Sequence, residues 1–196
     1  MRAATTLHFP LIVKPRHGYA SFGLIRKSRV VSPEQLLVRT EQLIRRFGGA
    51  LIEEFIEGRE FTVLVAENPD LPQYPFVFKP IEILFPPGET FKHYHLKWVN
   101  YHRLGVEIVS DSELDKRLRD LAGREFRMLG GNGYARCDFR MDKNGDLFLL
   151  DVNANCGFLY PADQPSCADS ILCRDPVGHD GFLSLLFRLA FYRRDK

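Results

Sequence analysis

Cysteine is scarce and unpatterned in this chain. Cys137, Cys156, Cys167 and Cys173 show no CxxC spacing, which excludes the common zinc and dithiol redox motifs and leaves reduced thiols as the simplest state. Alternation along its strand points Cys137 into packing. Cys156 fits a small filler, with a reactive thiol as the alternative. An excess of one charge is also missing: 27 Lys and Arg face 25 Asp and Glu, for a formal net charge of +2. Basic residues alternate with acids and form no runs, so neither nucleic acid nor a membrane surface is an expected partner. No apolar run approaches the roughly 20 residues that span a bilayer. The opening MRAATTLHFP lacks the long apolar core of a secretory signal, so a cytoplasmic location is the expectation. Repeats, low-complexity segments and the Walker pattern GxxxxGK[ST] are absent, and GGNGYA is not a GxGxxG fingerprint.

What is present is enough apolar material, 45% of 196 residues, to bury a proper core. PLIVKP (Pro10 to Pro15) reads as a short buried strand ending at Lys14, followed by the loop RHGYASFG. SPEQLLVRTEQLIRRFGG reads as a helix with Ser32 as N-cap, Pro33 in the first turn, Gln35 completing a capping box and Gly48-Gly49 as the stop. Its inward stripe is Leu36, Thr40, Leu43 and Phe47. ALIEEFI and EFTVLVA read as a hairpin joined at Gly58. FVFKPIEILF is a strand with Pro80 inside it, which indicates an edge or a bulge. An irregular segment, Pro86 to Arg103, follows; it is aromatic and cationic, and ordered loops of that length more often carry function than linkage. Ser112 to Leu129 has helical periodicity, a hairpin comes next, and GFLSLLFRLAFYRR closes the chain as a helix. This order of strands and helices gives the α+β class. The expected division is a smaller lobe over residues 1–66 and a larger one over 67–196.

The hairpin YARCDFRMDKNGDLFLLDVNANCG poses the central question, because its second strand runs from apolar residues into Asp151 and Asn153. Centring the turn on Asn144-Gly145 sets Asp138 opposite Asp151 and Arg136 opposite Asn153, all on one face. Leu149 and Leu147 would continue that face. Facing carboxylates about 5 Å apart at Cβ destabilise a sheet unless positive charge lies between them. A divalent cation would supply it, and two carboxylates with an amide suit Mg²⁺ or Mn²⁺. The alternative is that Asp138 pairs with Arg136 or Arg140 and Asp151 caps a turn.

Other polar residues carry weaker signals. Lys14, before Gly18, Ser21 and Gly23, fits a phosphate contact or a surface lysine. Glu53 and Glu60 fit ligand contacts or a solvated hairpin edge. Lys97 fits a second phosphate cation or an exposed lysine. His93 and His95 lack a third zinc ligand nearby.

Taken together, FPLIVKP, GYASFGL, LIEEFIEGREFTV, HYHLKW, GNGYARCDFRMDKNGDLFLLDVNANCGF and GFLSLLFRLAFYR resemble the blocks of the ATP-grasp ligases, most closely the D-alanine-D-alanine ligase family. The resemblance covers nearly the whole chain but only the later part of a family member, so the usual N-terminal domain would lie before Met1. It implies an ATP-grasp fold, in which two α+β lobes with antiparallel sheets grip the nucleotide. It also implies ATP-dependent joining of a small-molecule carboxylate and amine through an acyl phosphate. The cofactors implied are ATP and Mg²⁺ or Mn²⁺. Lys14, Ser21 and Lys97 would meet the phosphates, with Ser21 and its glycines forming a lid loop. Glu53 and the backbone at Phe55 and Ile56 would meet adenine, and Glu60 the ribose. Asp138, Asp151 and Asn153 would carry the metal, while Arg136 and the Gly157 N–H would stabilise the tetrahedral oxyanion.

Departures from the family pattern are Ala20, where a second lid serine is common, and FLYPADQPSCADSILCRDPVGHDGF after Gly157 in place of a serine-containing substrate segment. These leave D-alanine as amine donor open; Tyr160 and Asp163 fit acceptor selection or loop packing equally. A non-catalytic or truncated ATP-binding module that needs a partner or an N-terminal domain is the alternative. A homo-oligomer fits the sequence as well.

Overall fold

The computed structural model describes residues 7–194. Contacts group the chain into two units, one formed by the described part of Met1–Glu57 with Phe85–Leu104, the other by Gly58–Leu84 with the described part of Gly105–Lys196. A single cut after residue 66, as the sequence suggested, differs from this division. The reason lies in the strand that begins at Arg59.

In the first unit, β1 (Leu11–Pro15) is the middle strand of a three-stranded antiparallel sheet, between β2 (Arg29–Val30) and β3 (Ala50–Glu54). Strict alternation along β1 buries Leu11 and Val13 against Val30 and against Leu43 of helix α1 (Pro33–Phe47). Leu36 and Phe47 complete that core. Ser32 caps α1 by accepting from Gln35 N at 3.4 Å, whereas the Gln35 side chain reaches back to Val31 N and not to Ser32, so the capping box is not reciprocal. Gly48 ends the helix in the left-handed region at φ 73°. Arg39, which the apolar pattern does not reveal, is buried and donates to the Gly23 carbonyl at 2.5 Å and to Ser28 Oγ at 3.1 Å. The segment after Pro86 is more regular than expected: it holds α2 (Tyr94–Trp98) and a 3-10 turn, Tyr101–Arg103.

In the second unit, β4 (Arg59–Ala66) does not form a hairpin with β3. It is a central strand, paired over its whole length with β8 (Tyr134–Met141) and on its other side with β5 (Phe76–Val77) and β6 (Ile81–Leu84). Burial of every residue from Glu60 to Ala66 is what a central strand requires. Pro80 separates β5 from β6, as a residue without an N–H must. β7 (Gly105–Ile108), which the sequence reading missed, pairs with β6, and β9 (Leu147–Ala154) forms the opposite edge, giving the order β7-β6-β4-β8-β9.

One face of this sheet, with Phe61, Val63, Val65, Ala135, Cys137 and Phe139, packs on Leu114, Leu118, Ala122 and Phe126 of α3 (Ser112–Met128). Burying each large apolar side chain is worth about 1.5–3 kcal/mol. The chain then forms α4 (Cys167–Leu172), inside the segment read as a loop, and α5 (Gly178–Arg194). Phe182 of α5 meets Phe78, Tyr134 and Phe158 edge-on.

The β8–β9 hairpin departs from its expected course twice. Its turn is a three-residue loop: Asp142 N–H donates to the Asp146 carbonyl and Gly145, at φ 84°, donates to Asp142 O. Pairing therefore starts one residue off the Asn144-Gly145 centre, with Met141 opposite Leu147 and Phe139 opposite Leu149. A bulge then leaves Leu150 without a partner and restores the expected count, so that Asp138 faces Asp151 and Arg136 faces Asn153. The correction falls on Leu147 and Leu149, which do not continue the polar face: Leu147 packs on the α3 side. Among the described residues, no helix is long and apolar enough to cross a membrane.

Candidate functional site

The face of the second sheet opposite α3 carries the charged residues. Antiparallel registers place Thr62 and Asp151 on either side of Asp138. The Asp138 carboxylate, 8% exposed with its residue, accepts from Arg136 Nε at 3.0 Å and Nη2 at 2.8 Å, from Thr62 Oγ1 at 2.8 Å and from Asn153 Nδ2 at 3.1 Å. Burial disfavours the Arg136 charge, but attraction to Asp138 outweighs it and holds the guanidinium above its ordinary value. The positive charge that facing carboxylates require is thus supplied by Arg136, one of the alternatives open in the sequence, and the pairing by itself does not demand a cation. Asp151, by contrast, is exposed.

The donor chemistry nonetheless fits a hard divalent ion. Asp151, Asn153 and Asp138 can offer oxygens, the ligands that Mg²⁺ prefers, and Asp138 would join by releasing one of its present donors. Among the described residues there is no group of three or more His, Cys, Asp or Glu side chains that could hold a metal.

Burial shapes the chemistry around this face. Cys137 lies in the α3 core and its thiol is pushed up to about 12 by burial, with the Asp138 charge adding to the effect. Cys156 is buried at the end of β9; burial drives its thiol up to about 11 against the pull of Arg136. Both behave as fillers. All four cysteines are free.

Beyond β9, Gly157 is exposed, and a Cβ built on it would lie 2.8 Å from Cε2 and 3.0 Å from the hydroxyl oxygen of Tyr160. Tyr160 is held by Asp169, a residue that sequence reasoning missed. This buried carboxylate accepts from Leu159 N at 2.8 Å, Tyr160 N at 3.2 Å, Ser166 N at 3.0 Å and His179 Nε2 at 2.9 Å. Ser166 Oγ in turn accepts from Asp169 N, so the start of α4 is a reciprocal capping box, and the Ser-x-x-Asp spacing was the available signal.

Glu60 also belongs to the second unit. It is 4% exposed and paired with buried Arg140 at 3.1 Å, so a ribose contact there competes with a guanidinium.

In the first unit, Lys14 and Glu53 share the β1–β3 face turned away from α1 and form an ion pair at 2.5 Å. Phe55 is buried and its N–H donates to the Pro10 carbonyl at 2.8 Å, so that amide is already engaged. Ile56 follows it on the way out of β3. Ala20 and Ser21, in the loop after β1, both adopt left-handed backbone, at φ 56° and 61°. Ser21 Oγ donates to the Lys92 carbonyl at 2.8 Å and Trp98 Nε1 to the Ala20 carbonyl at 2.8 Å. Lys97 stacks its ammonium 5.6 Å from the Trp98 ring centre. His93 is no metal ligand here: it is buried, bonds Glu89 through Nε2 at 3.0 Å and accepts from Leu96 N through Nδ1.

Comparison with known proteins gives the chain its relatives. A D-alanine-D-alanine ligase of Pseudomonas putida is 32% identical over 169 residues, covering 86% of this chain and 49% of the relative. The chain spans about half the length of the curated relatives it matches. Among solved structures, the D-alanine-D-alanine ligase of Coxiella burnetii superposes with a TM-score of 0.70 at 19% identity, over 95% of this chain and 46% of that one. The Bacillus anthracis D-alanine-D-alanine ligase complexed with ATP gives 0.68 at 19% identity, over 96% and 55%. These likenesses show the ATP-grasp fold of such ligases. The family model for the D-ala D-ala ligase C-terminus matches residues 1–168, and the chain belongs to that family.

Proposed function

We propose that the chain carries the ATP-handling and catalytic part of a carboxylate-amine ligase that works through an acyl phosphate. The observation that carries this reading is the face on which β4, β8 and β9 gather Thr62, Arg136, Asp138, Asp151 and Asn153. Lys14, Ser21 and Lys97 are assigned to phosphate contacts, Glu53 and the backbone at Phe55 and Ile56 to adenine, and Glu60 to ribose. Lys14 and Glu53 pair with each other and Glu60 pairs with Arg140, so nucleotide binding would loosen these ion pairs, giving Lys14 a phosphate and the two carboxylates neutral hydrogen-bond donors in exchange.

Asp138, Asp151 and Asn153 would hold Mg²⁺ or Mn²⁺, which when bound offsets phosphate charge during transfer. Arg136 is fixed by two bonds to Asp138 and stays charged, as a donor to a tetrahedral oxyanion must. The Gly157 N–H is assigned as its helper. Transfer of phosphate to the carboxylate leaves ADP, and attack of the amine on the acyl phosphate expels inorganic phosphate. The relatives' own chemistry and the ATP seen in the Bacillus anthracis structure support this assignment.

The test is turnover of ATP with Mg²⁺ over a panel of amino acids, reading phosphate and amide together. Amide product confirms the ligase; nucleotide binding without turnover points to the second reading, an ATP-binding module that works with a partner or an N-terminal domain. That second reading is favoured by the greater length of the relatives. Asp151→Ala should abolish Mg²⁺-dependent nucleotide binding in calorimetry, and unchanged binding would refute the metal assignment.

A further inference from the structure

We propose that a recess within the first unit, apart from every residue assigned to the nucleotide, binds a small phosphate monoester. The recess has a volume of about 420 Å³ and is lined by Ile25, Arg26, Lys27, His93, His95 and Asn100. That is room for a small organic molecule. The inference does not depend on the ligase reading.

Three donors border the recess without a partner among the described residues. Arg26 gives Nε, at 3.0 Å, and Nη2 to Glu89 Oε1, which leaves its Nη1. Lys27 is exposed and makes no ion pair or hydrogen bond through its ammonium among the described residues. Asn100 Nδ2 can only donate, so His95 Nδ1, 3.2 Å away, accepts, and the neutral ring carries its proton on Nε2. His93, 3% exposed, has both ring nitrogens engaged, Nδ1 with Leu96 N and Nε2 with Glu89. The Glu89 carboxylate offsets the Arg26 charge, so the surplus at the recess is that of Lys27. Over the sequence of this unit Lys and Arg outnumber Asp and Glu two to one, which adds to the attraction for an anion. A phosphate monoester brings three acceptor oxygens and nearly two charges to these donors, where a carboxylate brings two oxygens and one charge. Ile25, 42% exposed, offers an apolar wall to its organic group.

The donors are positioned by the fold. Arg26 and Lys27 sit on a 3-10 turn, Arg26–Ser28, whose buried Ser28 accepts through Oγ from Ile25 N at 3.1 Å and from Arg39 Nη2 at 3.1 Å. His95 lies on α2, two positions before Lys97. That spacing sets the two about 200° apart around the helix axis, so an anion held by His95 is on the opposite side of α2 from the Lys97 face assigned to ATP phosphates.

The experiment adds phenyl phosphate, and separately benzoate, to the ¹⁵N-labelled full chain without nucleotide and follows the backbone amides. Phenyl phosphate should give saturable shifts at Ile25 to Lys27, His95 and Asn100. Losing a hydrogen bond to a charged group costs roughly tenfold or more in affinity, so Lys27→Ala and His95→Ala should each weaken binding by about that factor, while Lys14→Met leaves it within about twofold. Shifts confined to Lys14, Glu53 and Lys97 would place the anion on the nucleotide face and overturn the proposal. So would the lack of saturable shifts at millimolar phenyl phosphate, or equal affinity in Lys27→Ala and the parent. Benzoate binding as tightly as phenyl phosphate would overturn the phosphate assignment.

Discussion

Replacing Arg136 by alanine isolates the strongest electrostatic feature of the molecule. Arg136 donates two hydrogen bonds to Asp138, alongside those from Thr62 and Asn153, and both side chains are 11% exposed, so solvent screens the pair little. Breaking a buried pair by removing one partner costs roughly 3–5 kcal/mol, because a charge is left buried. Thr62 and Asn153 remain on Asp138, so the low end applies, about 3 kcal/mol. For a chain of this size that is a fall of roughly 6–12 °C in Tm. Thermal unfolding followed by circular dichroism at neutral pH gives the number. Two controls sharpen it: Arg136→Leu with Asp138→Leu, which removes both charges, should cost less than Arg136→Ala alone. Millimolar Mg²⁺ should also raise the Tm of Arg136→Ala more than that of the parent, since a dication replaces the lost guanidinium between facing acids. An Arg136→Ala protein that melts within about 2 °C of the parent, below the roughly 2–4 °C expected for 1 kcal/mol, would refute the reasoning.

Further outcomes follow from other sites. In turnover, Arg136→Ala should keep ATP binding and lose about 10² to 10³ in rate, read as amide per ATP bound. Burial raises the Asp169 carboxyl, but hydrogen bonds from His179, Ser166 and the Leu159 amide outweigh this and hold it below the usual range. With a lowered folded value, the unfolded chain binds more protons, so this stabilisation is complete above about pH 4 and is lost as pH falls through the folded value. The stability gap between the parent and Asp169→Asn, from urea titrations, should therefore be flat above about pH 5 and narrow below about pH 4. Iodoacetamide should label exposed Cys173 well before Cys137 and Cys156, whose thiols are buried and raised, as mass spectrometry of timed digests would show. Gly58→Ala should cost about 1–3 kcal/mol in urea unfolding, because its φ of 141° suits only glycine and an added Cβ would meet the Met141 carbonyl at 2.0 Å.

Much of the site was legible because its residues lie on two adjacent strands. The facing of Asp138 and Asp151 was read correctly from the turn, but through two departures that cancel: a three-residue loop that shifts the pairing register by one and an unpaired Leu150. The apolar stripe of α1 and the start of α3 were legible from spacing. What failed was long-range pairing. EFTVLVA looked like the partner of the strand before it, whereas burial on both faces makes it the centre of another sheet. Thr62 escaped notice because it meets Asp138 from 76 positions away, and Arg39 because its buried guanidinium serves backbone carbonyls and a hydroxyl. Periodicity reports which way a residue faces, not which distant group it will meet.

The unpaired Leu150 has a consequence for solubility. β9 is the edge strand of its sheet among the described residues and shows Phe148, Leu149 and Leu150 at 38%, 38% and 42% exposure, a combination that invites a stranger's strand to zip along it. An irregularity at the end of that run, midway along β9, denies the intruder a straight template. Deleting Leu150 would keep every facing pair of the hairpin while straightening its outer rim, and the shortened protein should clump at concentrations the parent tolerates.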